Sequence, residues 1–156
     1  MHVTLRAVAD DDADAIFAMM RDPEAVRMAA FTAADPDDRA AFDAHLGRLR
    51  SSPTISMRTV EADGAFAGTV AAFTLDGDRE VTYWIRRDLW NRGIATAALR
   101  LLVAAEPVRP LHARVAADNI GSRRVLDRAG FVQVGREVSY AAGAGAPVEE
   151  LVLRLE

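Results

Sequence analysis

Cysteine and lysine are both absent from the 156 residues, and each absence removes a class of chemistry. Without cysteine there is no disulfide framework, no thiolate nucleophile and no thiolate metal site, and such a chain suits a reducing compartment. Without lysine there is no Schiff base and no phosphate loop that depends on its ammonium; all 19 basic residues are arginine. A basic excess is missing too, since the formal net charge is -4, whereas nucleic-acid binders carry surplus positive charge. No run approaches the roughly 18 apolar residues of a membrane span, and Met1 to Val8 has no apolar h-region. The three histidines, His2, His45 and His112, lack metal-ligand spacing. These absences point to a cytoplasmic protein that handles small molecules or peptides, with no metal, nucleic acid or membrane among its partners.

What is present is an ordinary globular composition, 51% hydrophobic and 27% charged, over the length of one domain, residues 1–156. Leu5 and Ala7 suggest a first strand. The acidic run Asp10-Asp11-Asp12 is suited to capping a helix with Ile16, Met19 and Met20 on its inner face, ended or interrupted by Asp22-Pro23. Asp35-Pro36 predicts a second helix carrying Phe42, Leu46 and Leu49, stopped by Ser51-Ser52-Pro53. Ile55 to Glu61 and Ala65 to Leu75 read as a hairpin turning at Asp63-Gly64. After Asp76-Gly77-Asp78, residues Glu80 to Arg86 alternate as a strand, and Arg92 to Glu106 switch to helical spacing until Pro107. Leu111, Ala113 and Val115 mark a further strand. Asp118-Asn119 and Gly130 bracket another helix, and Phe131 to Tyr140 and Val148 to Leu155 form a last pair of strands. The expectation is an α/β fold with a mixed sheet of about seven strands and about four helices, parallel where the Arg92 to Glu106 helix crosses over.

The segment Trp90-Asn91-Arg92-Gly93-Ile94-Ala95-Thr96 joins a strand to a helix with small residues at 93 and 95. Such a turn is open to two readings. Its small residues let a helix pack closely on a strand, or its bare amides and the positive end of the helix dipole bind an anion such as a pyrophosphate, with Arg92 and the Thr96 hydroxyl assisting.

Glu80 to Thr96 as a whole resembles motif A of the GNAT superfamily of N-acetyltransferases. Asn119-Ile120-Gly121-Ser122, followed by Val125-Leu126 and Gly130-Phe131, resembles its motif B, in the family's order and spacing. Trp90, Tyr83-Trp84 and the Asn-x-x-Ser of motif B resemble the branch of ribosomal-protein N-terminal acetyltransferases (RimJ/RimL-like). This resemblance implies the GNAT acyl-CoA N-acyltransferase fold and acetyl transfer from acetyl-CoA directly to a primary amine, on a protein N-terminus or a small molecule. A contrasting reading is an inactive acyl-CoA-binding sensor or scaffold. Membership also makes a homodimer a fair expectation.

The resemblance assigns the cosubstrate to Trp84 and Ile85 through their main chain, to Arg92, Gly93, Ile94, Ala95 and Thr96 at the pyrophosphate, and to Asn119 and Ser122 beside pantetheine and the sulfur. Arg124, with Arg123, either steers the adenosine 3′-phosphate or belongs to a solvated helix face. Glu80 stands where relatives often place a carboxylate, so it is a candidate base acting directly or through water; the other reading is a solvated strand-end carboxylate paired with an arginine. Many relatives carry a tyrosine acid seven residues after the motif B asparagine. Here that position is Leu126, leaving Ser122 or Tyr140 as candidate acids. The early acidic residues Asp10 to Asp14 and Asp35 to Asp38 either favour a cationic acceptor or simply occupy helix N-termini.

Overall fold

The computed structural model describes residues 1–156. The alternating segments become seven strands: β1 (Val3–Ala7), β2 (Ser56–Ala62), β3 (Ala65–Leu75), β4 (Asp78–Ile85), β5 (Leu111–Ala116), β6 (Val132–Ala141) and β7 (Ala146–Leu155). The helices are α1 (Ala13–Met20), α2 (Pro23–Ala29), α3 (Arg39–Ser51), α4 (Ile94–Ala105) and α5 (Ile120–Arg128), with short 3-10 turns at Asp10–Asp12 and Arg87–Leu89. All seven strands join one sheet in the order β1-β2-β3-β4-β5-β7-β6. Every neighbouring pair is antiparallel except β4 and β5. The mixed α/β expectation holds, with one more helix than the sequence indicated.

That extra helix arises at Asp22-Pro23, read above as an ending. Proline has no N–H to lose at the first helical position, and the Asp22 carboxylate accepts from the amides of Glu24 and Ala25 at 3.1 Å each, so the pair starts α2. The next helix begins three residues later than expected, because Asp38 caps it by accepting from the Ala41 amide at 3.0 Å.

Asp12 of the acidic run stands at the N-cap of α1, as expected, but its carboxylate makes no cap bond there and turns to other partners. Asp12 is 5% exposed and accepts from both terminal guanidinium nitrogens of Arg6 at 2.8 Å, from the Ala9 amide at 2.8 Å and from the Thr59 hydroxyl at 2.9 Å. The hydrogen bond and charge of Arg6 hold this carboxyl well below the ordinary carboxylate range, against the opposing effect of burial. It ties β1, the turn into α1 and β2 together. Asp12→Ala is expected to cost about 2–3 kcal/mol, a value at the low end for a buried pair because Arg6 keeps some solvent contact. Urea denaturation at neutral pH measures it. The folded pKa of Asp12 is depressed, so its contribution is present above the unfolded carboxylate value and is lost as pH falls through the folded one.

One face of the sheet is covered by α4 and α5. Ile94, Ala98, Leu99 and Leu102 of α4 recur at helical spacing and meet Val60, Val70, Val81, Leu111, Val115, Leu151 and Leu153 from the strands in the main apolar cluster. On the other face α1 and α3 pack through Ile16, Met19 and Leu46, with Trp84 of β4 against them.

Candidate active site

The site begins where the sheet comes apart. Strands β4 and β5 share only two parallel rungs, Arg79 opposite Leu111 and Glu80 opposite His112, while β4 stays paired with β3 as far as Ile85. Beyond Glu80 the main-chain groups on the β5 side of β4 have no strand partner. Which groups these are follows from strand alternation. The Arg86 amide donates to the Ala67 carbonyl on the β3 side at 2.9 Å, so the peptide groups of Ile85, and of Tyr83 two residues earlier, face the gap. The Trp90 indole N–H confirms the direction by reaching the Ile85 carbonyl at 2.8 Å. Of the two residues expected to offer main-chain groups, Ile85 therefore faces the gap. Trp84 instead turns its carbonyl toward Gly68 of β3.

Gly68 is what allows that approach. A Cβ there would lie 2.0 Å from the Trp84 carbonyl oxygen and 3.0 Å from the Ile85 Cα. Both neighbours are main chain, so Gly68→Ala is expected to push β3 off the end of β4 and destabilise the protein by about 3 kcal/mol or more, read as a fall in the midpoint of chemical denaturation.

The turn from β4 into α4 supplies a cluster of unused donors. Gly93 adopts φ 80° and ψ 3° at the head of the helix, and the first main-chain bond into α4 runs from the Ala97 amide to the Gly93 carbonyl at 3.1 Å. The amides of residues 91–96 donate to no protein group. A Cβ on Gly93 would meet nothing within 4 Å, so the approach is open. Arg92 is exposed and makes no ion pair. Bare amides, a helix N-terminus and a free guanidinium together favour a polyanion. Ile94 and Thr96 are buried and Ala95 half-buried, so below its first residues the turn is anchored in the core.

Across the gap lies the start of α5. Asn119 caps this helix by accepting from the Ser122 amide at 3.2 Å. The Ser122 hydroxyl meets the Tyr83 phenol at 2.5 Å, and the same phenol donates to the Ser122 carbonyl at 3.1 Å. Burial pushes the Tyr83 phenol up to about 12, with the Ser122 hydrogen bond acting in the opposite direction. Tyr83 thus links β4 to α5, a contact over 39 residues of sequence that no local pattern indicates. Leu126 is 1% exposed, part of the core. Tyr140 lies on β6, separated from β5 by β7, and is 68% exposed, so the structure does not bring it to Glu80 or Ser122. Arg124 is exposed on α5 without an ion pair, while Arg123 donates to the Ala117 carbonyl at 3.1 Å.

On the opposite face of β4, Glu80 is 4% exposed and is not a solvated strand-end group. Its nearest cation is the Arg114 guanidinium at 3.5 Å, which also serves Glu137 at 3.0 Å and Glu150 at 3.4 Å. Three carboxylates share one arginine. Burial pushes the Glu80 carboxyl above its ordinary range, opposed by the charges of Arg114 and His112; Glu150 is raised by burial in the same way. A buried carboxylate of raised proton affinity, whose nearest cation is 3.5 Å away, is suited to accept a proton. Thr82, between Glu80 and Trp84 on this face, is exposed and leaves the surface above Glu80 open.

The wall beside that opening is strained. Helix α2 ends at Ala30 with φ 65° and ψ -52°, a γ-turn in which the Phe31 amide donates to the Ala29 carbonyl at 2.7 Å. The Ala30 carbonyl accepts from the Gly143 amide of the β6–β7 turn at 2.8 Å, and Ala30 packs with Ala116 and Ala141. The early acidic residues mostly pair with arginines here: Asp10 with Arg50, Asp14 with Arg39, Asp37 with Arg21.

The sequence matches the family described as the acetyltransferase (GNAT) domain over residues 2–132. No curated protein matches the chain. Among solved structures, RimJ of Mycobacterium smegmatis, in complex with a CoA disulfide, superposes with a TM-score of 0.82 at 24% identity, covering 98% of this chain and 81% of that one. A spermidine N-acetyltransferase from Vibrio cholerae, in complex with CoA and spermine, gives 0.80 at 16% identity, covering 97% and 95%. RimL, a ribosomal-protein alpha-N-acetyltransferase in complex with coenzyme A, gives 0.78 at 16% identity, covering 98% and 94%. At these identities the likeness is one of fold.

Proposed function

The chain belongs to the GNAT acetyltransferase family, and from that membership we propose that it moves the acetyl group of acetyl-CoA directly to a primary amine. The observation that carries the reading is the set of unused amides at residues 91–96, opening beside a β4 edge that is itself unpaired. A pyrophosphate fits those amides with Arg92 beside it. The amide groups of a pantetheine arm fit the Tyr83 and Ile85 main chain, with the Ile85 carbonyl already engaged by Trp90. Ile94, Ala95 and Thr96 contribute main-chain donors, Asn119 orders the α5 terminus, and Arg124 is free to meet a further phosphate.

The reaction forms an amide bond as the thioester C–S bond breaks, so one proton must leave the amine and one must reach the sulfur. Glu80 is the group suited to take the first, from an amine entering over Thr82. Ser122, already hydrogen-bonded to the Tyr83 phenol, is suited to supply the second. No acyl-enzyme is needed, which agrees with a chain that has no cysteine.

Neighbours of this fold act on a ribosomal protein in one case and on spermidine in another, so both protein N-termini and small amines are candidate acceptors. A homodimer, if formed, has an apolar surface available on the edge strand β6, where Val132, Val134 and Val138 are exposed. The experiment is acetyl-CoA turnover against a panel of peptide N-termini and small amines, followed through the free thiol released. CoA binding with thiol release on none of them would refute transferase activity.

A further inference from the structure

Two hydroxyls meet where the sheet has parted. Tyr83 stands on β4 beyond the last rung shared with β5, and its phenol reaches the first turn of α5, whose only hydroxyl is that of Ser122. The phenol oxygen lies 2.5 Å from the Ser122 hydroxyl and 3.1 Å from the Ser122 carbonyl. Each hydroxyl brings one hydrogen, so two arrangements are available. In the first the phenol donates to the carbonyl and Ser122 donates to the phenol, which uses both hydrogens inside the pair. In the second the phenol donates to the serine oxygen, and the serine hydrogen is released to point elsewhere. Only the second gives Ser122 a hydrogen to offer into the gap.

We propose that Tyr83 is a positioning residue for departure of the thiolate, donating to the Ser122 oxygen so that the serine hydrogen is aimed at the sulfur. The inference rests on the reading of Ser122 as the group that supplies the sulfur with its proton. As the amine nitrogen bonds to the acetyl carbon, the C–S bond breaks and its electron pair goes to the sulfur. The negative charge growing there attracts the serine hydrogen, and the phenol hydrogen turns from the carbonyl to the serine oxygen. The sulfur takes the serine proton, and Ser122, which is half-buried, takes one back from solvent. The amine proton leaves at Glu80, so the protons balance and nothing is oxidised or reduced. Tyr83 keeps its own proton throughout. Burial pushes the phenol up to about 12, and a phenol that stays protonated through the neutral range stays a donor.

A serine on a helix has another place for its hydrogen, the carbonyl three or four residues back along the chain. The Ser122 hydroxyl has Tyr83 as its one hydrogen-bond partner, so without the phenol no other side chain competes with that local bond. The Tyr83 ring packs against the main apolar cluster. Tyr83→Phe therefore removes the hydroxyl and keeps the packing.

The test compares wild type, Tyr83→Phe, Ser122→Ala and the double variant with acetyl-CoA and the fastest amine of the panel. Each single variant is expected to lose about tenfold in kcat while keeping its KM for acetyl-CoA and its thermal shift with CoA. The double variant is expected to be no slower than Ser122→Ala, because Tyr83 acts only through Ser122. A mere strut between β4 and α5 would show itself in KM and in the thermal shift rather than in kcat. A wild-type protein that acetylates no amine overturns acetyl transfer and this inference together. Turnover by wild type, beside a Ser122→Ala variant within about twofold of it, removes Ser122 as the proton source and Tyr83 with it, while leaving acetyl transfer in place. A slow Ser122→Ala overturns the role of Tyr83 alone if Tyr83→Phe keeps its kcat, loses its thermal shift with CoA, or slows Ser122→Ala by a further factor of about ten.

Discussion

Gly93→Glu is expected to weaken CoA binding at least about a hundredfold. A full negative charge placed some 4 Å from a bound diphosphate opposes it by several kcal/mol at the effective dielectric of a protein surface, and every factor of ten in affinity needs only about 1.4 kcal/mol. The space for the side chain exists, since nothing lies within 4 Å of a Cβ at this position. The conformation is the obstacle to a clean experiment: at φ 80° a side chain other than glycine is strained. Gly93→Asn separates the two effects. Asparagine tolerates the left-handed region and carries no charge, so its CoA affinity is expected to stay within about fivefold of wild type. Titration calorimetry with CoA reads both variants. Equal affinities for wild type and Gly93→Glu would remove the diphosphate from this turn.

The second large effect is expected from Glu80→Gln, a fall in kcat of about a hundredfold with little change in CoA affinity. Its sign in pH is set by burial, which raises the Glu80 carboxyl above the ordinary range. Wild-type kcat/KM is then expected to fall with decreasing pH through a value higher than that of a solvated glutamate, and the variant to lack this limb. The same shift has an opposite consequence for stability. A carboxyl whose folded pKa is raised favours the folded state while protonated, and that contribution disappears as pH rises from the unfolded value through the folded one. Above its folded value the Glu80 carboxyl is an unfavourable buried charge, and the neutral glutamine relieves it. Glu80→Gln is therefore expected to be the less active and the more heat-resistant protein, a pattern typical of active-site residues. Thermal denaturation checks it; a lower midpoint would show that Glu80 serves the fold through Arg114.

The parts of this molecule that were legible in the sequence are those governed by neighbours in the chain. Tyr83 and Ile85 alternate with Trp84, Asp63-Gly64 and Asp76-Gly77 both turn hairpins with positive φ, and Gly93 opens a helix. Such features follow from backbone sterics and a period of two or 3.6 residues. Helix α2 was missed because a proline after an aspartate reads equally as a stop or as a start. The choice depends on whether the aspartate finds amides to cap, and here Arg87 also steadies the Asp22 carboxylate at 3.0 Å. Asp12 looked like one of three equivalent acids until β2 brought Thr59 against it. The opposition of His112 to Glu80 required the register of a parallel pair 32 positions apart, which hydrophobic patterning does not encode. The Tyr83–Ser122 contact has the same origin. Chain-local physics wrote the turn with its unused amides, and long-range register wrote the pairings of Glu80 with His112 and of Tyr83 with Ser122.

The two-rung junction between β4 and β5 has a mechanical meaning. A continuous sheet carries load from edge to edge through its ladder of amide bonds, but this one is interrupted in the middle. Four strands on one side and three on the other are riveted chiefly by α4, whose Leu99 and Leu102 belong to the cluster shared by Val70 and Val81 with Leu111 and Leu153. The same helix whose N-terminal turn carries the unused amides is thus the clasp between the two leaves. Any force or ligand that tilts it changes the width of the slot along its whole length.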